Sequence, residues 1–122
     1  MQTELPIILD IRTIDEYKTR HICNSILIPT NKPPLNVNQI KLLEENLAEK
    51  VADINTDSQI KVYCKKGIRA KYAVDYLSKI GFTNVQNIGG LEEPVLQTKI
   101  QNNEYQICLC GGENKEMFTY CS

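Results

Sequence analysis

One cysteine of this sequence, Cys64, is followed within five residues by three cations, Lys65, Lys66 and Arg69. An apolar run ends just before it, and a segment with helical spacing begins a few residues after it. Backbone N–H groups at a helix start and nearby cations both favour the thiolate of a cysteine, which is its nucleophilic form. The same N–H groups can bind a small oxyanion of sulfur, phosphorus or arsenic. The pattern therefore predicts a nucleophilic Cys64 beside an anion-binding loop.

Gly67 fits this prediction, because a glycine adopts the positive φ that a turn around a bound anion often needs. The alternative is that Cys64 packs as a small hydrophobic residue, since free cysteine is among the most buried residue types. Three cations and a glycine in the next five positions favour the reactive interpretation. A packed cysteine needs none of them.

The elements that would position this loop are a strand before it and a helix after it. Ile60 to Tyr63 is a short apolar run, and apolar residues recur with helical spacing from Ala70 to Ile80, until Gly81. Similar patterns predict strands at residues 6–10, 26–28 and 85–88, a capped helix start at 13–16 and an amphipathic helix over 40–54. Strands that alternate with helices indicate an α/β domain with a mainly parallel sheet, in which sites form beyond the carboxyl ends of the strands.

Composition excludes several classes of protein. The chain has 122 residues, 42% of them hydrophobic, which suits one domain with one core. Its net charge is -1 and its Lys and Arg residues are scattered, so we expect no nucleic-acid partner and no membrane partner. Because we find neither a basic leader nor an apolar run that could span a bilayer, we expect a cytoplasmic protein.

The chain contains five cysteines, an odd number. Without a signal peptide, this count favours free thiols over a secreted disulfide framework. Cys108 and Cys110 form a CxC pair with only Cys121 nearby and no local histidine, which is a poor match to paired zinc ligands. We therefore predict neither a metal site nor any other cofactor.

Four ordered stretches of the sequence resemble the rhodanese-like sulfurtransferases. They are LDIRTIDEY from Leu9, HICNSILIP from His21, VYCKKGIRA from Val62 and GFTNVQNIGGLEE from Gly81. Any one stretch would be weak support, but all four occur in this order, between about residues 7 and 91. The resemblance implies an α/β fold with a central, mainly parallel five-stranded sheet flanked by helices. It implies a rhodanese-like domain over residues 1–94, with 95–122 as a C-terminal extension packed on or trailing from that domain.

The resemblance also implies a reaction. In that family the cysteine thiolate attacks the outer sulfur of a donor such as thiosulfate, holds it as a persulfide and passes it to cyanide or a thiol. Cys64 would then be the catalytic nucleophile, and Lys66 and Arg69 would neutralise the leaving sulfite. The substrate-binding residues implied by the match are Lys65, Lys66, Gly67, Ile68 and Arg69.

Asp10, Arg12 and His21 match residues that the family uses to support the site. We expect Asp10 and Arg12 to form a buried ion pair or hydrogen-bond node, because charges at a strand end are costly unless paired. The expected partners are a small sulfur-containing anion as donor and cyanide, a small thiol or a protein thiol as acceptor. We expect a monomer or a weak homodimer.

Three alternatives stay open from the sequence. A non-catalytic rhodanese module that recognises a partner is one, although such modules usually lose the cysteine. A small phosphatase or arsenate reductase is another, although those relatives carry one more loop residue than the six from Cys64 to Arg69. The third is a catalytic dyad of Cys64 with His21, the sole histidine, although sulfur transfer through a preformed thiolate needs no general base.

The chain departs from the family pattern at three positions. Arg20 and Asn24 stand where glycine is common, and of the two only Asn readily tolerates a positive φ. Pro94 stands where tryptophan is usual, so the segment after it has no family template.

In that last segment the alternation from Tyr105 to Leu109 is consistent with an added edge strand, and residues 111–115 with a turn. Cys108 and Cys110 read best as two packed or exposed thiols. The alternative is that one of them resolves a persulfide or disulfide on Cys64.

Overall fold

The computed structural model describes residues 5–109 of the chain. Strands and helices alternate through most of this range, as the sequence predicts. No helix in this part of the chain is long and apolar enough to cross a lipid bilayer. In chain order the elements are β1 (Ile7–Asp10), α1 (Ile14–Thr19), β2 (His21–Ile22), β3 (Ile26–Leu27), α2 (Val37–Lys50), β4 (Ile60–Cys64), α3 (Ile68–Lys79), β5 (Val85–Gly90), α4 (Pro94–Gln101) and β6 (Ile107–Cys108).

The central sheet is parallel and has the strand order β3-β1-β4-β5. Its α/β architecture confirms the predicted fold class, but within residues 5–109 the sheet has four strands rather than the predicted five. His21–Ile22 pairs with Ile107–Cys108 instead of joining this sheet. The register aligns Asp10 with Tyr63 and Cys64 with Gly90, so these residues meet at the carboxyl end of the sheet.

Strand alternation divides the core between the two faces of the sheet. Leu9 and Val62 point into a cluster that contains Leu43 and Leu47 of α2 and Leu77 of α3. Tyr63 points into a second cluster on the other face, closed by Leu96 of α4, Ile22 of β2 and Tyr105. Two buried faces explain why the central strands are apolar runs rather than alternating ones.

Local signals set the helix ends. The start of α1 lies where the sequence predicts it, whereas α2 spans Val37–Lys50 rather than the predicted 40–54. Thr13 and Glu16 form a capping box at the start of α1, and Asn36 and Gln39 form another at the start of α2. Gly81 follows α3 with a φ of 113°, the backbone region that favours glycine.

The prediction of free thiols is wrong for two of the cysteines. β2 and β6 form a small antiparallel sheet, with His21 opposite Cys108, and a disulfide joins Cys23 to Cys108. The spacing of the cysteines along the sequence could not predict this bond, because only the fold brings together two residues that are 85 positions apart. Cys64 is the free cysteine among the described residues. Cys110, Cys121 and the turn expected at residues 111–115 lie outside the described range.

The segment after β5 contains a helix that the sequence analysis missed. Pro94 is the first residue of α4, a position where proline's fixed φ suits a helix. The expected edge strand is reduced to Ile107–Cys108 and lies beside β2, not at the edge of the central sheet. The assignment of residues 95–122 as an extension of a 1–94 domain stays a prediction.

The two departures near His21 also have a structural explanation. Asn24 has a φ of 70°, so it does take the left-handed conformation where the family commonly has glycine. Arg20 has a φ of -171°, which is extended backbone that any residue adopts. The position of Arg20 therefore does not require glycine in this chain.

Candidate active site

The candidate site lies where β4 ends and α3 begins. Cys64 is the last residue of β4, and Gly67, with a φ of 94°, precedes the first helical residue. This short turn directs the first amides of α3 back toward the strand end. Cys64 is only 1% exposed and belongs to the core cluster beneath α3. The alternative interpretation, in which Cys64 is a buried residue, is therefore correct about its burial.

The sulfur atom nevertheless accepts hydrogen bonds from the loop. The N–H of Gly67 lies 3.0 Å from Cys64 Sγ and the N–H of Ala70 lies 3.4 Å from it. Both donors belong to the turn and first helical residues, where peptide dipoles favour a negative charge. Ala70 stands one residue beyond the loop that the sequence predicted. The sulfur is therefore buried but accepts hydrogen bonds from two backbone amides.

A cleft of about 200 Å³ opens beside this sulfur. Cys64, Lys65, Lys66, Ile68 and Arg69 line it together with Glu16, Lys32 and Pro33. Lys66 and Ile68 are exposed at the surface. Lys65 lies 3.9 Å from Glu92, a weak pair, whereas Lys66 has no ion pair within residues 5–109. The cleft thus places positively charged side chains next to Cys64.

Arg69 is the buried cation of the cleft. Its guanidinium forms two hydrogen bonds to the Glu16 carboxylate, Nη1 to Oε1 at 2.9 Å and Nη2 to Oε2 at 3.3 Å. Burial alone would raise the pKa of Glu16, but the hydrogen bonds from Arg69 and from the Thr13 N–H outweigh it and lower this pKa to about 2. The Nε atom of Arg69 has no hydrogen-bond partner in the described part of the chain. This leaves one buried donor of Arg69 unpaired among the described residues.

The end of β5 holds the loop from the other side. The N–H groups of Leu91 and Glu92 donate to the carbonyl oxygens of Cys64 and Lys65, at 2.7 and 3.1 Å. A Cβ on Gly90 would overlap with the Lys65 carbonyl oxygen and the Lys66 Cα, so this close approach requires glycine.

Asn87 adds a further link between β5 and the loop. Its side-chain amide donates to the Gly67 carbonyl oxygen at 3.1 Å. The side-chain oxygen of Asn87 accepts from the Gly89 N–H at 2.8 Å. One side chain thus fixes both the turn before α3 and the end of β5.

Asp10 and Arg12 form the buried ion pair that the sequence predicted, with Nε to Oδ1 at 2.9 Å and Nη2 to Oδ2 at 2.8 Å. The Tyr63 hydroxyl donates to Asp10 at 2.6 Å and accepts from the Ile22 N–H at 2.9 Å. Burial raises the pKa of Asp10 and of Tyr63. This network joins β1, β4 and β2 beneath the site.

His21 lies next to this network, at the start of β2. Its Nδ1 donates to the Tyr17 carbonyl oxygen at 2.9 Å, and its ring stacks on the Tyr17 ring. Burial lowers the pKa of His21, which favours the neutral ring. His21 does not line the cleft at Cys64, so the geometry gives no support to a Cys64–His21 dyad.

Sequence reasoning predicted the loop between Cys64 and α3, because its signals are local. It gave no role to Glu16, Gly90 or Asn87, whose contacts with the loop come from other strands and helices. The spacing of Glu16 after Thr13 signalled only a helix cap, and the Gly89-Gly90 pair signalled only a strand end.

Comparison with known proteins agrees with this geometry. A family model described as the rhodanese-like domain matches residues 1–97. The chain is 33% identical over 85 residues to the thiosulfate sulfurtransferase PspE of Escherichia coli (strain K12), a match that covers 70% of each chain. It is 32% identical over 89 residues to the adenylyltransferase and sulfurtransferase uba4 of Ogataea parapolymorpha. That match covers 72% of this chain but only 20% of the longer protein.

Two solved structures illustrate the structural likeness. A rhodanese with anions from E. coli superimposes with a TM-score of 0.56 at 28% identity, covering 74% of this chain and 92% of the other. A rhodanese-like domain from Anabaena sp. superimposes with a TM-score of 0.62 at 20% identity, covering 90% of this chain and 98% of the other. At that identity the second likeness concerns the fold alone.

Proposed function

This chain belongs to the rhodanese-like domain family, and on that premise we propose that it transfers a sulfane sulfur through a persulfide on Cys64. The relationship to a thiosulfate sulfurtransferase supports sulfur transfer in general. The observation that carries the specific proposal is the geometry of one atom. The Cys64 sulfur accepts two backbone N–H bonds and borders a cleft lined by cations.

In the first step the Cys64 thiolate attacks the outer sulfur of a donor such as thiosulfate. A sulfur–sulfur bond forms to Cys64, the sulfur–sulfur bond of the donor breaks, and sulfite leaves with the bonding electron pair. Lys66 and Arg69, which both line the cleft, would stabilise the charge that develops on the leaving sulfite. Lys65, Gly67 and Ile68 would complete the donor site.

In the second step an acceptor, either cyanide or a thiolate, attacks the outer sulfur of the persulfide. The bond between that sulfur and Cys64 breaks, and Cys64 leaves as a thiolate. Neither step needs an outside oxidant, reductant or general base. The amides of Gly67 and Ala70, which lie at hydrogen-bond distance from Sγ, would stabilise Cys64 as attacking group and as leaving group.

We also propose roles for the supporting residues. Asp10, Arg12 and His21 would hold the first strand and the following loop in place through their buried hydrogen bonds.

The place where this reaction occurs is a separate question. The Cys23–Cys108 disulfide weakens the expectation of a cytoplasmic protein, because such bonds persist in oxidising compartments.

Steady-state kinetics with thiosulfate and cyanide test the proposal. Replacing Lys66 with glutamine should raise the KM for thiosulfate about 3- to 10-fold, because one exposed charge contributes about 1 kcal/mol near an anion. Lys41→Gln is the matched control, because Lys41 is an exposed lysine of α2 that does not line the cleft. Equal kinetic constants for Lys66→Gln and Lys41→Gln, or thiocyanate formation by Cys64→Ser, would overturn the proposed roles.

A further inference from the structure

A second cleft lies directly beside the one at Cys64. It has a volume of about 140 Å³, and Glu16, Lys32 and Lys65 line both clefts. Its own lining includes Thr19, Arg20 and Leu91. We call this second space the side cleft. The shared residues make the two clefts neighbouring compartments of one groove.

The charges along this groove are strongly unbalanced. Six cationic side chains line the two clefts against two carboxylates, Glu16 and Glu92, although the whole chain has a net charge of -1. Three of the cations are paired: Arg12 with Asp10, Arg69 with Glu16 and Lys65 with Glu92. The other three, Arg20, Lys32 and Lys66, have no side-chain ion pair within residues 5–109.

The positions of these three cations suit a groove that binds two separate anionic groups, one in each cleft. Lys66 lines only the cleft at Cys64, Arg20 lines only the side cleft, and Lys32 lines both. A donor as small as thiosulfate can use the cations around Cys64 alone. Arg20 and Lys32 are then available to a second group, and an arginine fork matches a carboxylate with two parallel hydrogen bonds.

We propose that the side cleft binds the carboxylate of a small thiol acceptor while the acceptor's sulfur reaches Cys64. This inference rests on the proposed sulfur transfer. The acceptor binds as its thiolate, and its sulfur attacks the outer sulfur of the Cys64 persulfide. A bond forms between those two sulfurs, the bond to Cys64 breaks with its electron pair returning to Cys64, and the acceptor leaves as a persulfide. The favoured acceptor is a thiol that also carries a carboxylate, rather than a thiol with no other charged group.

Acceptor kinetics provide the first test. With thiosulfate as donor, wild type should use 3-mercaptopropionate with a kcat/KM about 10-fold above that for 2-mercaptoethanol, compared at equal thiolate concentration. Arg20→Gln should reduce this ratio about 3- to 10-fold and Arg20→Glu should reduce it further. Lys18→Gln is the matched control, because Lys18 is an exposed cation two residues away that lines neither cleft. A wild-type ratio near one, or the same ratio in the Arg20 and Lys18 variants, would overturn the proposal.

Binding of an unreactive acid gives a second test that does not depend on turnover. In NMR titrations, 3-(methylthio)propionate should shift the amide signals of Thr19 and Leu91, and its uncharged amide should not. Arg20→Gln should weaken this binding at least 3-fold and Lys18→Gln should not. Equal binding of acid and amide, or shifts elsewhere in the spectrum, would refute a carboxylate site. Failure of sulfur uptake from thiosulfate with this binding intact would instead count against the proposed function alone.

Discussion

At the scale of single residues, Arg69 shows how the fold keeps a permanent charge beside Cys64. Its side chain is 2% exposed, and the Glu16 carboxylate provides its counter-charge. Without that carboxylate the guanidinium would be buried and uncompensated, which is costly. Glu16 also accepts the N–H of Thr13, so the side chain that caps α1 is the one that fixes the cation of the cleft.

This pair should make stability depend on pH. The pKa of Glu16 is lowered from 4.5 to about 2, so the pair stabilises the fold fully above pH 4.5 and loses its effect as the pH falls from about 4.5 to about 2. At neutral pH, Glu16→Gln should lower the free energy of unfolding by about 2 kcal/mol, and the difference from wild type should shrink over that acidic range. Urea unfolding at several pH values measures it. A difference that stays constant down to pH 2 would contradict this account.

Gly90 makes a second prediction at the residue scale. Gly90→Ala should lower kcat/KM for thiosulfate at least about 10-fold, because its Cβ would displace the backbone at Lys65 and Lys66. Gly89→Ala is the control: Gly89 has a φ of 103° but no atom near its missing Cβ, so the change should cost about 1–3 kcal/mol of stability and little activity. A greater loss of activity in Gly89→Ala than in Gly90→Ala would show that the close approach does not matter.

At the scale of elements, the small sheet of β2 and β6 and its disulfide connect the chain's last described strand to the segment after α1. Tyr63, in the middle of the core, bonds to the Ile22 N–H, so β2 is also linked to β4. The disulfide joins residues 85 positions apart, and closing so long a loop restricts the unfolded chain considerably. The bond should therefore contribute to stability more than to the chemistry at Cys64.

Replacing Cys23 and Cys108 together with serine tests this role. We expect the double variant to lose about 2–4 kcal/mol of unfolding free energy in urea. Dithiothreitol should destabilise wild type by a similar amount and leave the double variant unchanged. If wild type and the double variant unfold at the same urea concentration, with and without dithiothreitol, the disulfide does not stabilise the fold.

At the scale of the whole molecule, local sequence patterns were enough to predict the α/β architecture and the loop at Cys64. The strand and the helix on either side of the Cys64 loop are close to it in the sequence, so periodicity and a glycine reveal them. The bond of Cys23 to Cys108, the pairing of β2 with β6 and the contact of Glu16 with Arg69 join distant parts of the chain. Such contacts depend on how the elements pack, which spacing along the sequence does not encode.

The fold as a whole brings three strand ends to one edge, and each provides a different part of the site. β1 ends at the supporting Asp10, β4 ends at Cys64, and β5 ends at Gly90 against the loop. The central claim is that this arrangement keeps the sulfur of Cys64 able to accept sulfur from a small anion.

Intact-mass measurement after incubation with thiosulfate tests that claim most directly. The account predicts that wild type gains the mass of one sulfur atom, that Cys64→Ser gains none, and that added cyanide removes the sulfur as thiocyanate. Folded wild-type protein that takes up no sulfur, or a Cys64→Ser variant that takes up as much as wild type, would contradict it.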